Sequence, residues 1–139
     1  MTFALDVSKM VANVTEETLR VVRGTIYGVS SRGIKGTPVA APETWKKPVK
    51  GYIGGTLRGA WNASIGSIDS TKNQSKDTSG AATIANMSAV VNGLEIGQTF
   101  FMTNPQPYAY AVEYGWSNQA PAGMLRIAIA DTQAVINAL

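Results

Sequence analysis

Pro107-Tyr108-Ala109-Tyr110-Ala111-Val112-Glu113-Tyr114-Gly115-Trp116-Ser117-Asn118-Gln119-Ala120-Pro121-Ala122-Gly123-Met124 is the stretch on which the reading of this chain turns. It holds three of the five tyrosines, one of the three tryptophans and a carboxylate set among aromatics. A run of Gly, Ser, Asn and Pro follows, which demands an irregular backbone. Two readings of Glu113 stand side by side. In one, an aromatic corner of the core turns Glu113 to water. In the other, Glu113 meets an arginine from elsewhere in the fold or from a neighbouring subunit, because a carboxylate between Val112 and Tyr114 is costly to bury alone.

Upstream, Gly97 to Asn104 reads as a strand ended by Pro105 and Pro107. Downstream, residues 121–139 place Met124, Ala128, Val135 and Leu139 on one stripe, with Leu125, Ile129, Thr132 and Ile136 beside it. That spacing predicts an amphipathic helix with Pro121 near its first turn. The opening stretch therefore joins the last strand to the last helix.

At the other end, Val7, Met10, Val11, Val14, Val21 and Val22 recur at helical spacings, with Thr18 at the missing apolar step. A helix is predicted over 7–27, capped by Asp6 or Ser8 and weakened beyond Gly24 by Gly28 and Ser30-Ser31. Lys9, Glu16, Glu17, Arg20 and Arg23 fall on its polar side, and its apolar face reads as core. Residues 30–55 hold Gly33, Gly36, Pro38, Pro42, Pro48, Gly51, Gly54 and Gly55, too many breakers for a continuous element. An extended loop is expected there, anchored by Trp45, Val49, Tyr52 and Ile53, with Lys46, Lys47 and Lys50 outward.

Thr56 to Ile68 alternates Leu57, Trp61 and Ile65 with polar residues, which predicts a strand with Arg58 opposite Trp61. Residues 69–79 are polar throughout and read as a flexible exposed tip. Gly80 to Asn92 reads as a short helix capped by Thr78 or Ser79 and closed by Gly93. No internal repeat or heptad run is apparent. The whole, residues 1–139, is predicted to be a single α+β domain: a small antiparallel sheet flanked by a long N-terminal helix, a short middle helix and a C-terminal helix, with a long extended loop.

Composition narrows the chemistry. At 139 residues the chain suits one domain with a real core. The absence of cysteine excludes disulfides and thiolate metal sites, and the absence of histidine removes the commonest general base and metal ligand. There is no Walker loop, since Gly54-Gly55 leads into Thr56-Leu57-Arg58, and the only adjacent carboxylates are Glu16-Glu17. No enzyme activity, cofactor or metal is expected. No apolar run reaches the ~18 residues of a membrane span, and no basic-then-apolar leader opens the chain, so a protein without membrane association, made in the cytoplasm, is expected.

Charge is unevenly spread. From Arg20 to Arg58 eight cations stand against Glu43 alone, a net of +7, while the rest carries four cations against eight acids, a net of −4. Such asymmetry attracts polyanions. A small cytoplasmic protein that binds DNA without regard to sequence is therefore one candidate function, since backbone contact needs little more than placed positive charge. Charged residues make up only 15% of the chain, which suits a protein that works bound to others.

Three ordered blocks point to a second candidate. They are Thr37-Pro38-Val39 leading to Gly54-Gly55-Thr56-Leu57-Arg58-Gly59-Ala60-Trp61; Asn104-Pro105 with Pro107-Tyr108-Ala109 and Val112-Glu113-Tyr114-Gly115; and Ser117 to Met124. In that order they resemble the tail-completion, or head-tail joining, proteins of long-tailed bacteriophages, including minor tail proteins of the lambda-like kind. The resemblance spans nearly the whole chain. It implies a non-enzymatic virion subunit, assembled in the host cytoplasm into a ring, with six copies favoured, at the head-tail junction. The implied partners are the head-closure, tail-terminator and tail-tube proteins, with double-stranded DNA passing through the channel. Shorter relatives run almost directly from the Pro-Val turn to the Leu-Arg strand, whereas here Ala40 to Tyr52 intervenes.

On this basis Lys46, Lys47, Lys50, Arg32 and Lys35 are expected to face the channel or a neighbouring ring. Glu113, Arg58, Arg126, Tyr108, Tyr114 and Trp116 are expected at a subunit interface or in a structural ion pair, with Arg58 or Arg126 approaching Glu113. Substituting Glu113→Ala is then expected to impair ring assembly more than monomer folding.

Overall fold

The computed structural model describes residues 2–41, 46–47, 50, 53–73 and 75–138. Its elements in order are α1 (Phe3–Lys35), α2 (Thr56–Gly59), β1 (Asn62–Ile65), α3 (Ala81–Asn92), β2 (Phe100–Thr103), α4 (Ala109–Glu113) and α5 (Leu125–Ala138). The fold is α+β: a long N-terminal helix and four further helices around a small two-stranded antiparallel sheet.

The first helix is longer than its periodicity predicts. It starts at the Thr2 cap and passes through Gly24, Gly28 and Ser30-Ser31 without a break, so residues 30–35, expected in the loop, are helical. Each glycine costs about 1 kcal/mol against alanine in a helix, but this half of α1 is held from both flanks, by α3 and α5. Arg23 donates from Nε and Nη2 to the Leu94 carbonyl just past α3, at 2.9 and 2.6 Å. Gly33 lets Leu125, the first residue of α5, lie so close that a Cβ there would stand 2.5 Å from Leu125 Cδ2. The helix stops at Gly36, and the Thr37 hydroxyl donates to the Gly33 carbonyl at 2.8 Å.

The segment expected as one strand, from Thr56 to Ile68, divides. Gly55, at φ 101°, turns the chain into the single turn α2, and β1 begins only at Asn62. Leu57 and Trp61 are both buried. A spacing of four keeps two residues on one face under either period, two steps of alternation or one helical turn, so their burial does not require a strand. In β1 and β2, Asn62 pairs with Thr103, Ala63 with Met102, Ser64 with Phe101 and Ile65 with Phe100. Helix α3 connects the two strands and packs on β1.

Residues 69–79 are mostly exposed, but they are tied back at intervals. The Asn62 amide donates to the carbonyls of Asp69 and Thr71, Asn73 donates to Asn62, and Asp77 N–H reaches the Gly55 carbonyl at 3.1 Å. Ser79, one of the two expected caps of α3, accepts from Ala81 N at 3.2 Å, and Asp77 adds a second cap. Its carboxylate accepts from Gly80 N and Thr83 N, both at 2.9 Å, and from the Thr83 hydroxyl at 2.7 Å. Burial alone would push its pKa up, but donation from Thr83, Gly80 and Ser79 holds it below the usual carboxylate range.

The core is one cluster of Ile34, Leu57, Trp61, Met87, Val91, Ala109, Val112, Ala120 and Met124. It lies against the C-terminal end of α1. At the other end every residue from 4 to 18 is exposed, including Met10, Val11 and Val14. The apolar face of α1, expected as core, is therefore core only near its C-terminal end.

Candidate functional site

The turn between α4 and α5 carries the residues that the sequence singles out. Glu113 closes α4, and its carboxylate reaches across the irregular run to the start of α5. Oε2 accepts from Met124 N at 3.0 Å and Leu125 N at 3.1 Å, and Oε1 accepts from Arg126 N at 2.8 Å. The first N–H groups of a helix have no partner within it, and the positive end of the helix dipole favours a carboxylate there. Glu113 thus caps α5 from eleven to thirteen residues upstream.

Arg126 completes the arrangement within the same chain. Its Nε lies 3.6 Å from Glu113 Oε1, while Nη2 donates to the Glu113 carbonyl at 2.7 Å. The close packing needs Gly123, which sits at φ 95° and would bring a Cβ to 2.7 Å from Glu113 Oε1. Of the two arginines expected near Glu113, Arg126 is there and Arg58 is not.

The guanidinium of Arg126 also covers the Tyr114 ring, 4.3 Å from its centroid. Tyr114 in turn packs on Tyr110, with centroids 4.6 Å apart and planes inclined at 39°. Trp116 follows after the Gly115 turn, its backbone N–H bound to the Ala111 carbonyl at 3.1 Å. Tyr110, Tyr114 and Trp116 are 75%, 58% and 76% exposed. Three large aromatics thus stand in water on a mount fixed by backbone hydrogen bonds and the Glu113 cap. Tyr108, the residue before α4, is less exposed. Tyr110 was missed in the sequence reading. Its signal is the spacing of four to Tyr114, which only a helix makes meaningful, and the nearby Pro and Gly hid that helix.

Arg58 belongs to a second, structural cluster. Because α2 is helical, its side chain runs to the end of α1, where Nε and Nη2 donate to the Thr37 carbonyl at 3.2 and 2.7 Å. Nη2 also donates to the Lys35 carbonyl at 2.9 Å, and Nη1 donates to the Thr78 carbonyl. A cation at a helix C-terminus meets carbonyls that have lost their own donors. Burial lowers the Arg58 pKa, opposed by nearby Asp77. Beside it Trp61 Nε1 donates to the fully buried Thr37 hydroxyl at 2.8 Å.

The expected channel cations are all exposed. Arg32 lies on α1 and reaches Thr132 of α5 at 3.3 Å, and Lys35 is exposed at the last turn. Lys46, Lys47 and Lys50 are exposed. The anchors expected beside them, Trp45, Val49 and Tyr52, lie outside the described residues, and Ile53, expected to dock, is exposed.

Among the described residues no three His, Cys, Asp or Glu side chains group closely enough to hold a metal, and no helix is long and apolar enough to cross a membrane. No family model, curated protein or solved structure matches this chain. What the site can do follows from its chemistry: exposed tyrosine and tryptophan rings beside an arginine are residue types enriched in protein–protein contacts.

Proposed function

We propose that this chain is a structural subunit of a long-tailed bacteriophage virion. It forms a ring at the neck, completes the tail and joins it to the head, with DNA passing through the channel. The support is the exposed cluster of Tyr110, Tyr114 and Trp116 beside Arg126, presented on the block from Pro107 to Met124 that carries the resemblance. A ring needs one patch that meets a different patch on the next subunit, with a rotation that closes. Aromatics held by a fixed backbone lose little freedom on docking and serve well as such a patch.

The experiment is mass spectrometry of purified particles and of dissociated necks, with the chain expected in both. A Trp116→Ala chain should fold as the parent does yet be depleted from the particles. Particles that lack the parent chain overturn the reading. The exposed Arg32 and Lys35 favour the alternative of a free DNA-binding protein. Micromolar, steeply salt-dependent binding to duplex DNA by the isolated chain, together with its absence from particles, would select it.

A further inference from the structure

The N-terminal half of α1 presents an apolar stripe that the described residues leave uncovered. Met10, Val11, Val14 and Val21 are 67%, 60%, 62% and 63% exposed, and Leu5 and Val7 are exposed as well. The stripe continues a face that α5 covers further along. A groove between the two helices is lined by Val21, Gly24, Thr25, Thr132, Val135 and Ile136, and from residue 18 back to residue 4 every residue of α1 is exposed. Val7, Val14 and Val21 are spaced seven apart with Met10 three after Val7, the apolar places of a two-helix seam, interrupted by Glu17 three after Val14. Two heptads are too few to read as a coiled coil from sequence, where three or four are needed. Exposure in the folded chain adds a separate observation, that nothing among the described residues covers this face.

We propose that this arm, residues 3–21, docks on the same arm of a second copy in antiparallel register. The occupant follows from the charges beside the seam. With Met10 of each copy opposite Val14 of the other, the flanking positions set Asp6 of each copy against Arg20 of the other, twice by symmetry. Asn13, which is uncharged, meets its own image at the axis, and on the other flank Val11 meets Val11. Arg20 is already held on that flank by Glu17 at 2.7 Å. A parallel register would set Glu17 against Glu17 in the seam, two like charges with no cation between them, whereas the antiparallel register sets Glu17 against Val7. Antiparallel pairing also brings the tip of each arm toward the exposed Val135 and Ile136 of the other copy's α5.

The area sets the strength. An arm of this length is about 28 Å long and 10–12 Å across, so covering a third of its girth buries roughly 700 Å² over both copies, below the ~1,200 Å² of standing complexes. The pairing is therefore weak and dependent on concentration. It is a two-fold contact, which closes on itself and cannot build a ring. It is thus separate from the aromatic cluster and independent of the neck reading.

Sedimentation equilibrium of the full chain over about 5 to 500 μM tests it, since the pairing predicts a mass that climbs from 14.7 kDa toward twice that value. Val14→Asp should hold the chain monomeric throughout. Asp6→Arg should weaken association about tenfold, two mirrored pairs becoming repulsive together, and Asp6→Arg with Arg20→Asp should restore it. All these side chains are exposed, and an unchanged melting temperature of the dilute variants checks that they fold. A parent chain that stays monomeric overturns the proposal. So does association that ignores Val14→Asp, or a double reversal no better than the single one. None of these results bears on the presence of the chain in particles, so this inference and the neck reading fail separately.

Discussion

The two ends of α1 belong to one helix with opposite surroundings. At the C-terminal end Ile34 and Thr37 are fully buried, and Arg58, Trp61 and Arg23 tie the helix to α2, the residue before β1 and the turn after α3. At the N-terminal end an apolar stripe of Met10, Val11 and Val14 lies in water. Helical periodicity records that a face is apolar and does not record what covers it. One end of α1 stabilises the domain, and the other offers a surface to something outside it.

The contrast can be broken most sharply at Arg58. Replacing Arg58→Ala leaves the carbonyls of Lys35, Thr37 and Thr78 without their charged donor, and a loss of about 2–4 kcal/mol in unfolding free energy is expected by denaturant titration. A loss below about 0.5 kcal/mol would mean that this end of α1 is no better anchored than the other. Next comes Glu113→Ala, which strips three N–H groups of α5 of their acceptor and should cost about 1–2 kcal/mol. Glu113→Gln, keeping one oxygen, should recover part of this. These three contacts give Glu113 a part in folding beside the part in assembly expected of it. Assembly defects in Glu113→Ala with unaltered stability would place its role between subunits.

Acid should act through Asp77, whose pKa lies below its ordinary value in the folded chain. The unfolded chain then binds the proton more readily. This stabilisation is complete above the unfolded pKa of about 3.9 and is lost as pH falls through the folded value. Melting temperature against pH should show that decline, and Asp77→Asn should flatten it. The smallest effect belongs to the arm. Val14→Ser should change the stability of the dilute monomer by less than about 0.5 kcal/mol, and a larger loss would reveal a cover for the stripe within the chain.

Much of the framework was legible from residue types and spacing. The first, middle and last helices and the strand before Pro105 follow from residue types and spacing, while their boundaries shift: α1 begins at the Thr2 cap and runs to Lys35, β2 is only Phe100–Thr103, and α5 begins at Leu125. The passage from Leu57 to Trp61 was ambiguous because a spacing of four satisfies a strand and a helical turn alike. Gly24 and Gly28 weaken the helix locally, but α3 and α5 both pack on it. The candidate site was legible in identity more than in role: Glu113 stood out as a carboxylate among aromatics, but its partners include three backbone N–H groups that no side-chain pattern encodes.

By itself the sequence determined the α+β class, the places where helices arise, and the chemistry closed to a chain without His or Cys, because these depend on local period and composition. Only the tertiary structure decided which arginine meets Glu113, that Arg58 caps α1 instead, and that half of a well-formed amphipathic stripe is left in water. Those outcomes depend on distances between segments far apart in the chain, set by how the core closes around Ile34, Met87 and Met124.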